Sequence, residues 1–421
     1  MNSIFFSTDS CKGYDLVVVG GGIIGCATAR EMKIRHPQMR IAIVEKEDGL
    51  AKHQTGHNSG VIHAGIYYKP ESLKSKLCVE GLKLSYDYIK EKNIPFKQVG
   101  KLIVASNDSE ITYLNELYER GLKNKCPDIE LIDKNCIKNH EPKCTGVKAI
   151  WSPWTGIVDW AVVCQHFAED LKKMGGDIFL NFEVSGIAEC VKCKGETNSP
   201  FISLYSTNKY LNTKYILTCA GLHSDRLAAI TGCDLSTRIV PIRGEYLLIK
   251  EDKKNFISTN IYPVPNPKFP FLGVHFTPKL NGDTWIGPNA VVAFAKEGYH
   301  WKNINIKDCA ELANFSGLYK LCFKHIASGI YEVIKSIFYV LSIKESQRFV
   351  PEIQFRDVVR GPAGVRAQAL DNNGDLIDDF LFDTGLNKRV IHCRNIPSPG
   401  ATSSLAIAKF ISDKLEKDFK L

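Results

Sequence analysis

The chain has 421 residues, 44% hydrophobic and 24% charged, and its 54 Lys and Arg outnumber 46 Asp and Glu for a net charge of +8. This composition excludes a disordered or collagen-like chain, the length calls for two domains, and a mild, scattered positive charge suits an anionic small molecule better than nucleic acid. No apolar run reaches the length of about 18 residues that a membrane span requires, and the 14 cysteines contain one CxxC, Cys190 to Cys193 in a Lys-rich turn, which argues for reduced thiols and against a metal site.

The residues before the first expected strand hold Asp9 and no arginine, a composition unlike a mitochondrial presequence and compatible with a cytoplasmic protein. "YDLVVVGGGIIGCATAREM" then reads as a buried parallel strand running directly into glycines and a helix. Gly20, Gly22 and Gly25 fit G-x-G-x-x-G. The first glycine permits the tight turn, the second lets backbone N–H groups approach a pyrophosphate, and the third lets helix and strand pack closely. A second apolar run, "RIAIVEK", ends in Glu45, placed to accept hydrogen bonds from an adenosine ribose, with Lys46 beside it at the same cofactor.

After Glu45 the chain carries a small-residue loop, "HQTGHNSGVIHAGIYY", with three histidines and three glycines over 53–68, and then a helix beginning near Ser72. A long loop in place of the next βα unit suits a larger, buried dinucleotide, FAD in preference to NAD. "DWAVVCQHFAEDLKKMGG" is an amphipathic helix with Asp159 as N-cap, Val163, Phe167 and Leu171 on one face and Gly175-Gly176 as its stop. "TKYILTCAGLHSDRLA" is another strand, turn and helix, with Ala220 and Gly221 in a turn that places backbone beside the cofactor.

Asn281-Gly282 joins two strand-like runs and suits a type I′ hairpin. "IYPVPNPKFP" has four prolines, which points to an edge or rim. Residues from about 295 to 350 read as helical, and "VIKSIFYVLSI" (333–343) reads as a buried helix more readily than as an interfacial membrane contact. The last stretch, "SPGATSSLAIAKFI", opens a helix whose first N–H groups, near Gly400, Ala401, Thr402 and Ser403, would stabilise a reduced, anionic flavin.

The blocks "GGGIIG", "QTGHNSGVIHAGIYYKPESLKSKLCVEG", "GKLIVA", "TGIVDW", "TCAGLHSDR", "IVPIRGEYLL", "WIGPNAV", "RGPAGVRAQALD" and "SPGATSSLAIA", in that order between residue 14 and about 415, resemble the FAD-dependent L-2-hydroxyglutarate dehydrogenase family of the D-amino-acid oxidase superfamily. The resemblance implies FAD-dependent oxidation of L-2-hydroxyglutarate to 2-oxoglutarate, a mitochondrial location, an electron acceptor other than oxygen (a membrane quinone or electron-transfer protein) and peripheral membrane contact. An amine or amino-acid oxidase of the same superfamily is the alternative. The expected fold is α/β, a Rossmann-like FAD-binding domain (13–95, 155–230, 355–421) interleaved with an antiparallel-sheet substrate domain carrying added helices (96–154, 231–354).

In a flavin dehydrogenase of hydroxy acids, hydride leaves C2 for the flavin N5 while the hydroxyl proton departs to a base. His63, in a segment resembling the "IHGG" stretch of glycerol-3-phosphate dehydrogenases, is the expected base. His53 is expected to order the loop, whereas Thr55, His57, Asn58, Ser59 and Gly60 lie along the cofactor, as do Val184 and Gly364. A dicarboxylate needs two cationic or donor pockets. Arg366 is the choice for the C1 carboxylate, because its planar fork binds carboxylates bidentately, and Arg243, Tyr67, Tyr246 and His275 are the choices for the distal one.

Overall fold

The computed structural model describes residues 13–189, 201–265 and 272–421. The Cys190 to Cys193 pair, the first twelve residues and part of the proline-rich run lie outside the described residues. The strand Tyr14–Val19 sits inside an eight-stranded sheet, parallel to Tyr210–Thr218 on one side and to Ile41–Val44 on the other. Leu16, Val17, Val18 and Val19 are all buried, as a strand covered on both faces requires.

The helix Ile23–Arg35 follows and packs against Trp160–Lys173 and the C-terminal helix Ser404–Phe419. Asp159 caps Trp160–Lys173 by accepting from Ala161 N, and Val163, Phe167 and Leu171 enter the core, as their spacing predicts. The strand Val390–Asn395 closes on Tyr210–Thr218, bringing the end of the chain back to its beginning.

A nine-stranded sheet forms the second layer. It is antiparallel except where Lys101–Ala105 runs parallel to Asn260–Pro263. Its longest pairing joins Thr237–Ile249 to Val358–Asp371, so residues 358–371, expected in the C-terminal segment of the FAD-binding domain, belong to this sheet. A small three-stranded sheet pairs Val61–Ile62 with Gly156–Val158.

Two local expectations are corrected. The hairpin His275–Pro278 to Thr284–Gly287 forms, but of its Asn-Gly pair only Gly282 has positive φ (+87°), so the connection is not type I′. Lys279 N bonds to Asp283 O and Gly282 N to Lys279 O, which gives a three-residue loop with glycine in the left-handed position. The run 333–343 is not a buried helix. It spans two helices, Ile326–Ile337 and Val340–Ser346, bent by 106°, and no single helix among the described residues is long and apolar enough to cross a membrane. Lys335 and Ser336 are buried while Ile330, Ile334, Ile337 and Phe338 (61% exposed) face outward. The inversion has a polar cause: Lys335 ion-pairs with Glu332 (2.6 Å) and Glu345 (3.3 Å), and Ser336 donates to Glu245 and accepts from Trp301 Nε1 (2.9 Å).

Candidate active site

The turn after the first strand has no room for side chains. A Cβ on Gly20, whose φ is +117°, would stand 2.4 Å from Cys219 O, and one on Gly25 would stand 2.1 Å from Gly20 O. The next helix has Gly22 as N-cap, no side-chain cap and no acid in its first turn, which leaves donors for a pyrophosphate. Glu45 accepts from Gly21 N (2.7 Å) and Glu47 N (2.9 Å), so its carboxylate is held against the glycine turn with lone pairs remaining for ribose hydroxyls.

Thr55 Oγ1 accepts from Ile23 N at 3.0 Å, tying the 53–60 loop to this helix. Ala220 and Val184 pack into one cluster with Val17 and Val19, and Gly221 (φ +50°) abuts Gln54. These residues, drawn from distant parts of the chain, form a cradle that fits FAD.

Other expected cofactor residues also make contacts within the protein. Lys46 is ion-paired to Glu47 and to Glu297 (2.6 Å), and His53 sits 2.9 Å from Glu47 and 3.0 Å from Tyr299 Oη. Lys46 thus offsets one of the two carboxylate charges in the Glu47, His53, Glu297 cluster. Asn58 donates to Gln54 O and Thr55 O and accepts from Gly60 N, so its side chain shapes the loop. Ser59 O accepts from Lys279 Nζ (2.8 Å), and His57 stacks on Tyr299 at 4.2 Å. The last helix begins at Ser404 rather than Gly400, where a Cβ would meet nothing closer than 3.5 Å.

The loop then delivers His63. Its N–H donates to Thr402 Oγ1 (3.1 Å) and its carbonyl accepts from the Cys78 thiol (3.6 Å), which fixes the backbone from the C-terminal turn and from the helix Leu73–Glu91. Its Nδ1 is buried with no hydrogen-bond partner among the described residues, as are Tyr67 Oη and Lys101 Nζ. Burial, then the charge of Lys101 and then His275, pushes the His63 pKa down to about 3. The His275 ring lies 4.0 Å from that of Tyr262, tilted by 33°; burial pushes its pKa down to about 4, with Arg366 and Lys101 both contributing.

Arg366 lies within electrostatic reach of Tyr246, Tyr262 and His275. Two residues earlier, Gly364 lets this strand pass the histidine loop, since a Cβ would stand 2.4 Å from His57 O. The structure therefore brings together His63, Tyr67, Tyr246, His275 and Arg366.

It does not bring Arg243 to them. In the sheet Arg243 pairs with Val365 and Ile242 with Arg366, and directly paired residues share a face, so the two arginines leave opposite faces. Arg243 instead binds Glu245 (3.0 Å) and lies 4.4 Å from the Trp301 ring centre. Three residues join the site without having been expected: Lys101, Tyr262 and, against His57, Tyr299. The one local hint was a lysine opening the otherwise apolar run "KLIVA".

The family model described as FAD dependent oxidoreductase matches residues 15–414. L-2-hydroxyglutarate dehydrogenase, mitochondrial, from Caenorhabditis briggsae is 53% identical, covering 97% of this chain and 94% of that protein. The Homo sapiens protein of the same name is 48% identical, covering 98% and 90%. The chain belongs to the L-2-hydroxyglutarate dehydrogenase family of FAD-dependent oxidoreductases. Among solved structures, an L-alpha-glycerophosphate oxidase from Mycoplasma pneumoniae with FAD bound superposes with a TM-score of 0.73 at 24% identity, covering 94% of this chain and 93% of that one. Glycine oxidase from Bacillus cereus superposes at 0.67 with 16% identity, covering 96% and 95%. Both share the fold of this family member, and FAD is its cofactor.

Proposed function

We propose that this chain oxidises L-2-hydroxyglutarate to 2-oxoglutarate in mitochondria, the activity and location that its relatives' names carry. The observation that supports this substrate class is the enclosed group of His63 Nδ1, Tyr67 Oη and Lys101 Nζ, buried polar atoms without partners, in electrostatic contact with the His275 and Arg366 region. Bound FAD supplies the acceptor for the C2 hydride.

His63 takes the hydroxyl proton. A pKa near 3 keeps the imidazole neutral at physiological pH. Because an alcohol is a far weaker acid than imidazolium, that transfer is concerted with hydride departure. Arg366 holds the C1 carboxylate through its bidentate fork, with Tyr246 and His275 beside it. Thr55, His57, Ser59 and Gly60 line the cofactor.

Electrons leave to an acceptor other than oxygen at a peripheral membrane contact. The outward apolar residues Ile330, Ile337 and Phe338 supply that surface, and Arg360, which donates to Ile337 O (3.0 Å), and exposed Arg356 and Lys344 match anionic headgroups. Sedimentation with anionic vesicles tests the contact; vesicles that leave the protein in the supernatant remove it. For the reaction, anaerobic L-2-hydroxyglutarate should bleach the flavin and yield 2-oxoglutarate, while amino acids leave it yellow. A flavin that stays oxidised with the hydroxy acid, or is reduced by an amino acid with release of ammonia, defeats the assignment.

A further inference from the structure

Lys101 opens a strand in which every residue is buried, and its own exposure is 0%. Its Nζ has no hydrogen-bond partner among the described residues. An enclosed ammonium without an anion is costly and is retained only where something repays it. It lies over two ring faces, Tyr67 at 4.8 Å and Tyr262 at 5.2 Å, which attract the cation without neutralising it. The thiols of Cys78 and Cys126 also bear on it, but burial keeps both protonated.

The lysine's position shows what would repay the cost. Its charge bears on His63 and His275, and the charge of Arg366 bears on His275 too. Two cations thus bear on His275, and one of them, Lys101, also bears on the proposed base and lies over the Tyr67 ring. A monocarboxylic hydroxy acid held at Arg366 would leave Lys101 unpaired. A substrate with a second carboxylate supplies the anion that Lys101 lacks. We infer that Lys101 binds the substrate carboxylate remote from the reacting carbon and so selects dicarboxylates over monocarboxylates of equal length.

This inference rests on the reaction proposed above, and the test separates the two. Lys101→Met keeps the length of the side chain and removes its charge. Flavin reduction is followed anaerobically with L-2-hydroxyglutarate and with L-2-hydroxypentanoate, which carries a methyl in place of the remote carboxylate. In the variant, kcat/KM for L-2-hydroxyglutarate should fall about 100-fold, chiefly through KM, while that for L-2-hydroxypentanoate changes little. Freed of an unpaired buried charge, the substrate-free holoenzyme should also melt at a higher temperature than the original.

Equal losses on both substrates, or a lower melting temperature with the preference intact, would mean a structural lysine and overturn the inference. Failure of the unmodified protein to be reduced by L-2-hydroxyglutarate would instead strike the proposed reaction. If the Met variant does not take up FAD, Lys101→Gln serves for the same comparison. In the unmodified holoenzyme glutarate should inhibit at least about tenfold better than pentanoate, and equal inhibition again overturns the inference.

Discussion

In the loop 53–60, polar side chains are spent on the protein itself: Asn58 makes three bonds to loop backbone, Thr55 holds Ile23 N, and His53 bridges Glu47 and Tyr299. Three residues further on the pattern reverses, and His63 Nδ1, Tyr67 Oη and Lys101 Nζ are buried with no partner among the described residues. Buried polar groups are normally satisfied. The first region is a scaffold whose loop is held by its own bonds; the second is built to be completed by a substrate. Removing a group from the scaffold should therefore cost stability and cofactor retention, and removing one from the pocket should cost rate or affinity.

The sharpest break comes from His63. His63→Ala should slow flavin reduction by about 100-fold or more while FAD stays bound, because the contacts that fix this residue run through its backbone N–H and carbonyl. Stopped-flow reduction and flavin content measure the two sides, and unchanged kinetics would remove His63 from the pocket. Arg366→Ala should lower kcat/KM about 100-fold, mostly through KM; steady-state kinetics showing an unaltered KM would place Arg366 with the scaffold.

The scaffold was legible in the sequence because its demands are local. Gly20 and Gly25 leave no room for a Cβ, Asp159 caps its own helix, and Glu45 follows the second strand, all within short stretches. The pocket was legible only in part. His63 and Arg366 stood in recognisable blocks, but Lys101 meets Tyr262 only because Lys101–Ala105 pairs with Asn260–Pro263 across some 160 residues. Arg243 looked equivalent to a pocket cation until register with 358–371 put it on the opposite face from Arg366. The apolar run 333–343 read as core because Glu245, which draws Ser336 inward, lies 91 residues away in the sequence.

A smaller effect tests the scaffold directly. Asn58→Ala removes one acceptor and two donated bonds, and should lower stability by about 1–3 kcal/mol and speed FAD loss, read by thermal melting and by flavin fluorescence on release. A variant with unchanged melting and FAD retention but slower substrate oxidation would move Asn58 into the pocket.

The subtlest consequence is the pH dependence of stability. Burial lowers the Lys101 pKa from 10.5 to about 8 in the folded protein. Between those values the unfolded chain binds the proton that the folded chain has released, so stability from this residue rises with pH. Below about 8 both states are protonated, and the full penalty of an enclosed charge is present. The melting advantage of Lys101→Met in substrate-free holoenzyme should therefore be largest below pH 8 and shrink as the pH approaches 10.5. Lys279 is likewise lowered to about 8, and Cys78 and Cys126 are raised, so all three titrate in the alkaline range. His63 and His275, the other titratable neighbours, are already neutral there, and the hydroxyls of Tyr67 and Tyr262 stay protonated. Burial keeps the folded thiols protonated in both proteins over this range, so the difference between the two melting curves reports chiefly on Lys101. A gap that stays constant from pH 6 to 10 would mean that the ammonium is already paired, and the division between a completed scaffold and an open pocket would fail at its central residue.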